Sequence, residues 1–267
     1  QKPLKIAILD MYNNFPGEGM RCILKLVNEF RERENLSIET SIFNVRAENN
    51  IPDLTFDIYI STGGPGSPLF EGHAWEQNYQ NFLRQIWEHN QKSTTKKYLF
   101  LICHSFQLAV QHFELGTICL RKSTSFGVMP VHKTPFGEHE ILFEGLENPF
   151  WAVDSRDYQM IQPDLAQFSK IGAKILCIEK ERPHVNLERA VMAIRFSPEI
   201  LGTQFHPEAD AEGMHRYFLQ EEKRQAVIKE HGEDKYNDMI EHLEDPDKIA
   251  LTEATVLPRF LDFATRK

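Results

Sequence analysis

Cysteine is scarce in this sequence, and its spacing excludes two common uses of the residue. Four cysteines occur among 267 residues, at positions Cys22, Cys103, Cys119 and Cys177. No two of them form a Cys-x-x-Cys pair, so neither a zinc cluster nor a dense disulfide framework is expected. The eleven histidines form no recognisable metal-binding motif either. We therefore expect the protein to need no metal and no other cofactor.

Long apolar stretches and phosphate-binding loops are also missing. No apolar run approaches the roughly 20 residues of a membrane-spanning helix, and residues 1–10 have the pattern of a strand rather than of a signal peptide. Neither a Gly-Lys-Ser/Thr phosphate loop nor a Gly-x-Gly-x-x-Gly dinucleotide loop occurs. The formal net charge is −9, which would repel nucleic-acid phosphates. We expect a cytoplasmic protein without a membrane or nucleic-acid partner.

The first half of the chain alternates apolar strand patterns with helical periodicity. Alternating strands and helices predict an α/β fold, in which an open, mostly parallel central sheet carries helices on both faces in a flavodoxin-like arrangement. Catalytic groups in such sheets lie at the carboxyl ends of the strands. The predicted strands are Leu4–Leu9, Ile38–Val45, Phe56–Ile60 and Tyr98–Ile102, and the predicted helices are Met20–Arg33, Trp75–Asn90 and Phe106–Phe113.

The second half begins with shorter strands and ends in charged helical segments. We predict a core domain of residues 1–211 and a helical C-terminal extension of residues 212–267, packed on the same domain. The extension either covers an edge of the domain or serves as a lid or docking surface. The predicted strands are Ser125–Pro130, Glu140–Leu142, Phe150–Val153, Lys174–Glu179, Ala190–Arg195 and Gly202–Phe205, and the predicted helical stretches are Glu212–Glu244 and Thr255–Thr265, separated by a break at residues 245–247.

Cys103 directly follows the predicted strand Tyr98–Ile102 and precedes a predicted helix. A cysteine on such a sharp turn has its sulfur lifted above the sheet. There the helix N-terminus favours the thiolate and offers backbone N–H groups to a developing oxyanion. A lone cysteine is more often a buried structural residue, and we apply that interpretation to Cys22, Cys119 and Cys177.

His206, Pro207 and Glu208 directly follow another predicted strand end. A thiol nucleophile needs a base within hydrogen-bond reach, and the base needs a carboxylate that orients it. His206 is expected at the same rim of the sheet as Cys103, with Glu208 turning back towards its imidazole. Taken alone, the three residues are equally typical of a surface turn.

The glycine run Gly63-Gly64-Pro65-Gly66 follows the third predicted strand. Its backbone N–H groups are therefore expected above the end of the sheet. Glycine is needed where the backbone must approach a substrate closely or adopt a positive φ. A plain strand-to-helix turn explains the same composition.

These three segments, in this order and spacing, resemble the class I (triad-type) glutamine amidotransferases, to which the glutaminase domain of GMP synthetase belongs. The resemblance covers about residues 4–210. The segments that carry it are Ser61–Pro68 (STGGPGSP), similar to the glycine-rich oxyanion loop, Leu101–Gln107 (LICHSFQ), similar to the nucleophile elbow, Gly202–Glu208 (GTQFHPE), similar to the His-x-Glu segment, and Phe126–Val128 with Asp154–Pro163, similar in place to the second glutamine-contacting stretch.

The resemblance implies a Cys-His-Glu triad that hydrolyses the side-chain amide of glutamine. In it, Cys103 would attack the carboxamide, and His206 would activate the thiol and then protonate the departing ammonia. Glu208 would orient His206. Because the chain contains no synthetase domain, ammonia would be delivered to a separate synthetase or acceptor protein.

The resemblance also assigns residues around the triad. The backbone N–H groups of Gly64 and His104 would form the oxyanion hole. Gly63 and Gln107 would contact the substrate, which would be L-glutamine or another γ-glutamyl compound. No metal belongs to this site.

Three residues of the elbow depart from the family pattern, and they leave alternatives open. Leu101 and Ser105 stand where the family has glycines, and His104 stands where it has Leu, Tyr or Phe. A catalytically degenerate binding subunit would explain the lost glycines. The Cys103-His104 pair is similar to PfpI-type peptidases, so a Cys-dependent peptidase or γ-glutamyl hydrolase would use His104, rather than His206, as the base. Nothing in the sequence indicates the oligomeric state.

Overall fold

The computed structural model describes residues 2–245 and 248–266, so the predicted break at residues 245–247 falls partly outside them. Within these residues, nine strands form one sheet. They are β1 (Leu4–Asp10), β2 (Ile38–Asn44), β3 (Ile58–Ser61), β4 (Tyr98–Ile102), β5 (Thr117–Lys133), β6 (Phe150–Ile161), β7 (Lys174–Glu179), β8 (Val191–Ser197) and β9 (Ile200–Thr203).

Helices connect the strands of the first half and make up most of the last fifth of the chain. A single 3₁₀ turn, Ile141–Phe143, precedes β6 in the described part of the chain. The α-helices are α1 (Gly19–Glu34), α2 (Val45–Glu48), α3 (Ala74–Lys92), α4 (His104–His112), α5 (Pro135–Glu138), α6 (Leu165–Ile171), α7 (Ala211–Phe218), α8 (Glu221–His231), α9 (Glu233–Glu244) and α10 (Ile249–Thr265).

The sheet has a parallel half and an antiparallel half, in the strand order β2-β1-β3-β4-β9-β8-β7-β5-β6. The five strands from β2 to β9 pair in parallel. Those from β9 to β6 pair antiparallel. The predicted α/β class is confirmed: the protein has a mixed nine-strand sheet, helices on both faces and helices at the C-terminal end.

The inner parallel strands β1, β3 and β4 are largely buried, which explains their apolar sequences, whereas β2 lies at the edge of the sheet and is partly exposed. In β4, Phe100 and Ile102 belong to the core beneath α1 and α10, while Leu99 and Leu101 belong to the core beneath α3 and α4. Successive side chains of a strand point to opposite faces. The apolar residues of β4 therefore contribute to both cores, and this packing holds the end of the strand in place.

Two predictions for the second half need correction. The predicted strand Glu140–Leu142 is wrong, because this segment leads into the 3₁₀ turn. The Glu140 carboxylate accepts the backbone N–H of Leu142 and is paired with Arg195 at 2.5 Å, which stabilises a turn instead. The predicted strands at Ser125–Pro130 and Phe150–Val153 are parts of the much longer β5 and β6.

The helices after residue 210 pack in two different places. Helices α7, α8 and α9 cover β5 and β6 through a separate apolar cluster, in which Met239 lies against Gly127. Helix α10 instead packs into the core that lies between the sheet and α1, where the rings of Phe260 and Phe100 lie 5.2 Å apart. The domain boundary at residue 211 stays a prediction. In the described ranges, no helix has the length and apolar character needed to cross a bilayer.

Candidate active site

Cys103 stands at the sharp turn between β4 and α4, and its backbone is strained. Its φ is 48° and its ψ is −99°, a combination that costs a non-glycine residue about 1–3 kcal/mol. The Cys103 N–H donates to the Thr203 carbonyl of β9 at 2.8 Å, and its carbonyl accepts the N–H of Gln107 at 3.0 Å. The sheet and the helix thus hold the strained turn from both sides.

His206 and Glu208 lie at the same rim as Cys103. The His206 N–H donates to the Val153 carbonyl of β6 at 2.8 Å, which anchors this segment across the end of the sheet. Nδ1 of the imidazole lies 2.8 Å from Oε1 of Glu208. The negative charge of the Cys103 sulfur also contributes to the pKa of this imidazole, so the two side chains lie close together. The three predicted side chains are therefore brought together in the order cysteine, histidine, glutamate.

The electrostatic environment favours a charged imidazole. Burial opposes the imidazolium, but the negative charge of Glu208 and the Cys103 sulfur outweigh it and raise the pKa of His206 well above its usual value. A histidine that carries its proton next to a sulfur stabilises the thiolate form of that sulfur. The arrangement suits an ion pair of nucleophile and general acid.

The glycine loop lies directly against these side chains. A Cβ on Gly63 would lie 2.8 Å from Cε1 of His206, and a Cβ on Gly64 would lie 2.2 Å from the carbonyl oxygen of Met11. Both glycines are needed for close approach, whereas Gly66 is needed for its φ of 82°. Arg46 holds the loop from behind by donating to the carbonyls of Met11, at 3.1 Å, and Pro65, at 2.6 Å.

We expect Gly64→Ala to disrupt the loop, because the new methyl group would collide with backbone rather than with a movable side chain. Overpacking of this kind costs about 1–3 kcal/mol, and displacement of an oxyanion donor costs about 10²- to 10³-fold in kcat. Thermal unfolding and glutamate release measure the two effects. Gly17→Ala is the control, because a Cβ there meets nothing within 4 Å. Equal behaviour of the two variants would contradict this account of the loop.

His104 has its backbone at the site and its side chain away from it. As the first residue of α4, its N–H has no acceptor within the helix and is free to serve an oxyanion. Its side chain is buried, and its Nε2 has no hydrogen-bond partner among the described residues. Burial and the positive charge of Arg46 lower the pKa of His104 to about 3. Such an imidazole is a poor general base near neutral pH.

Two residues near the sulfur were not singled out from the sequence. The amide Nε2 of Gln204 donates to the Cys103 sulfur at 3.5 Å, and the sulfur itself is 3.7 Å from the carbonyl oxygen of Ser155 on β6. Gln204 lies between β9 and His206, so its position in the sequence could have marked it as a candidate site residue. The predicted substrate residue Gln107 is buried, and its Nε2 donates to Gln204 at 2.9 Å and to the Tyr158 carbonyl at 3.2 Å.

Tyr12, in the loop after β1, is a third residue that the sequence interpretation missed. Burial, followed by the negative charges of Glu208 and Cys103, raises the pKa of Tyr12 well above its usual value. The phenol is therefore neutral and stands close to the candidate triad. Its position shortly after β1 could have marked it as a candidate site residue, because the carboxyl ends of β1 and β4 lie at the same edge of the sheet.

A cavity of about 480 Å³ adjoins the glycine loop. Cys103 does not line it, and this cysteine is only 6% exposed. The wall of this cavity is formed by the glycine loop, β5, β6 and α8. The lining residues are Gly66, Ser67, Leu120–Thr124, Asp157, Tyr158 and Glu230. Within the described residues, no group of three or more His, Cys, Asp or Glu side chains is arranged to hold a metal ion.

Comparison with known protein families gives one match over most of the chain. The family described as glutamine amidotransferase class-I matches residues 22–226, a range that includes the glycine loop, the elbow and the His-x-Glu segment. The chain belongs to the class I glutamine amidotransferase family. A comparison with curated protein sequences finds no significant match.

Solved structures of other amidotransferases are similar to this one in fold. A glutamine amidotransferase from Thermotoga maritima has a TM-score of 0.68 at 12% identity, over 100% of both chains. A protein of Thermoplasma acidophilum described as a putative GMP synthase subunit has a TM-score of 0.55 at 16% identity, over 86% of this chain and 98% of its own. The CTPS glutaminase domain from Trypanosoma brucei, solved with bound acivicin, has a TM-score of 0.55 at 15% identity, over 77% of this chain and 86% of its own.

The two residues of this amidotransferase that replace elbow glycines are accommodated in different ways. Leu101 is fully buried and pairs in register with Gly202 of β9, where a Cβ would lie 3.2 Å from the Leu101 Cβ. Because Gly202 has no side chain, there is room for the side chain of Leu101. The hydroxyl of Ser105 bonds Ser61 Oγ at 2.7 Å and donates to the Thr62 carbonyl at 2.6 Å. Ser105 therefore ties α4 to the start of the glycine loop.

Proposed function

We propose that this protein hydrolyses the side-chain amide of glutamine through a Cys103 thioester and delivers the ammonia to a separate protein. The observation that carries the proposal is the grouping of three side chains, in which His206 lies beside the Cys103 sulfur and 2.8 Å from Glu208, at the rim of a class I glutamine amidotransferase fold. Family membership supports glutamine as the substrate. The missing side chain at Gly202 makes room for Leu101. This argues against the alternative that the protein is a catalytically degenerate binding subunit.

The proposed reaction has two steps. The Cys103 thiolate attacks the carboxamide carbon, a C–S bond forms, and the tetrahedral oxyanion accepts the N–H groups of Gly64 and His104. The C–N bond then breaks, and the leaving nitrogen takes the proton of the His206 imidazolium and departs as ammonia. In the second step, His206 takes a proton from water, which attacks the thioester, and glutamate leaves as the electron pair of the C–S bond returns to sulfur.

The remaining residues would bind and orient the substrate. Gly63 and the glycine loop would lie against the glutamine side chain, because they already touch His206. Both amide protons of Gln107 are used within the protein, so its carbonyl oxygen is the group that would meet a substrate N–H. The acceptor protein would be a synthetase, the class of partner to which amidotransferase domains of this family supply ammonia.

We expect the purified protein to release glutamate from L-glutamine and Cys103→Ala to lose this activity entirely. A glutamine-analogue electrophile such as acivicin should add one mass increment to the wild type, located on Cys103 by peptide mass spectrometry. The labelling experiment does not depend on an acceptor protein. Cys103 is the expected site of labelling because its sulfur lies beside His206.

Cys119→Ala is the matched control for this experiment. Cys119 lies on β5, and within the described part of the chain its sulfur accepts only the distant amide of Gln159, at 3.9 Å. We expect this variant to keep full activity and full labelling. A wild type that neither releases glutamate nor reacts with the glutamine analogue would refute the proposed function, as would labelling at Cys119.

A further inference from the structure

A buried amide lies against the Cys103 sulfur, in addition to the imidazole of His206. Nε2 of Gln204 lies 3.5 Å from the sulfur, and the Gln204 side chain has no exposed surface. Its backbone N–H donates to the Met192 carbonyl of β8 at 2.8 Å, which holds the residue in the sheet. A buried amide donor next to sulfur acts without competition from water, so its hydrogen bond is stronger than it would be at the surface.

The orientation of the Gln204 amide is determined by a chain of hydrogen bonds. A backbone carbonyl can only accept, so the side-chain group of Gln107 that faces the Tyr158 carbonyl must be its NH₂. The same NH₂ faces Gln204, and this requires the oxygen of Gln204 on that side. The Gln204 NH₂ is thereby directed at the Cys103 sulfur.

We propose that Gln204 is a further catalytic residue, which donates a hydrogen bond to the Cys103 thiolate, and that Gln107 is a positioning residue, which orients the Gln204 amide. The inference rests on the proposed function only in taking Cys103 as the nucleophile. In the resting protein, the bond raises the fraction of thiolate. In the second step of the reaction, it stabilises the sulfur as the electron pair of the C–S bond returns to it.

The charged and titratable groups that face Cys103 come from three other segments. They are His206 and Glu208 after β9, Arg156 on β6 and Tyr12 after β1. All four remain in place when Gln204 is changed. Because Gln204 carries no charge, its replacement by a residue of similar shape removes a hydrogen bond and leaves the charges unaltered.

The first test measures the rate at which iodoacetamide alkylates Cys103 as a function of pH, in wild type and in Gln204→Met. A hydrogen bond to a charged acceptor is worth enough to change the thiolate population about tenfold. We expect alkylation at pH 7 to slow about tenfold and the midpoint of the pH profile to rise by about one pH unit. Gln167→Met is the control, because Nε2 of Gln167 bonds only the Phe113 carbonyl, at 2.9 Å, among the described residues; its profile should match that of the wild type.

The second test reverses the polarity of the orienting group. In Gln107→Glu a carboxylate, which only accepts, replaces the donor, so the Gln204 amide is expected to turn and present its oxygen to the sulfur. Alkylation should then slow at least as much as in Gln204→Met, and more than in Gln107→Met. In the Gln204→Met background, Gln107→Glu should add much less, because no amide remains to be turned.

Near-UV circular dichroism and urea midpoints establish that each variant is folded. If Gln204→Met does not fold, the comparison of Gln107→Glu with Gln107→Met decides the question. A wild-type alkylation profile in folded Gln204→Met, or additive effects in the double variant, would overturn the inference. If glutamine is not hydrolysed but the profiles shift as described, the inference holds and the proposed function fails. If glutamine is hydrolysed and the profiles do not shift, the reverse is true.

Discussion

Replacement of His206 by alanine is expected to lower kcat/KM for glutamine hydrolysis about 10⁴-fold, the typical loss when one member of a catalytic triad is removed. The imidazole lies beside the Cys103 sulfur and is hydrogen-bonded to Glu208, and its loss deprives the thiol of its proton acceptor and the leaving nitrogen of its proton donor. Steady-state glutamate release measures the effect.

His104→Ala is the informative comparison, because His104 is the base in the peptidase alternative. Its side chain is buried, and burial together with the positive charge of Arg46 lowers its pKa to about 3. Alanine keeps the backbone N–H that faces the oxyanion, so we expect a loss of about tenfold or less. A larger loss in His104→Ala than in His206→Ala would reverse the assignment of the base.

Arg156→Met is expected to destabilise the fold by about 3–5 kcal/mol, the range observed when one partner is removed from a buried ion pair. The Arg156 side chain is only 2% exposed and pairs with Asp154 at 3.0 Å and with Glu179 at 3.1 Å. Methionine would fill most of the volume but would leave buried carboxylates without this cation. Urea denaturation measures the change in the free energy of unfolding.

The control for this change is Arg259→Met at the surface. Arg259 pairs with Glu144, also at 3.0 Å, but both side chains are solvated, and exposed pairs contribute about 0–1 kcal/mol. The two variants therefore differ in burial and not in the length of the ion pair. Similar losses in both would mean that the network around Arg156 does not support the junction of β5, β6 and β7.

The parallel half of the fold was predictable because it follows simple periodicity. Strands β1, β3 and β4 are largely apolar and buried, and each of the four strands from β1 to β4 is followed by a helix before the next strand. The buried polar side chains of this half, such as Ser61 and Asn90, do not interrupt this periodicity. Propensity and patterning therefore agree with the tertiary structure.

The antiparallel half was predicted less well because tertiary pairing overrides its sequence pattern. Strand β6 continues past Val153 through Asp154, Arg156 and Gln159, all of them polar and buried. Their burial depends on partners such as Glu179 on β7, which sequence reasoning cannot pair with β6. Polar residues in this segment therefore indicated a turn where the structure has a strand.

The candidate site was predictable to the extent that it lies at strand ends. Cys103 directly follows β4 and His206 lies shortly after the end of β9, and the parallel arrangement brings β4 and β9 side by side. The roles of the polar side chains behind the sulfur were not predictable, because they depend on which amide faces which carbonyl. Gln204 was visible in its motif, but its contact with Cys103 is a property of the packed structure.

The packing of α10 has a consequence for the synthesis of the chain on the ribosome. Phe260 of α10 covers Phe100 on the strand that leads to the nucleophile, and Thr252 donates to the Trp151 carbonyl on β6, two residues before the carbonyl that anchors His206. Residues made late therefore close a core whose first strands emerged from the exit tunnel much earlier. A chain that lacks α10 would leave this apolar surface of the core exposed, and an exposed apolar surface favours aggregation.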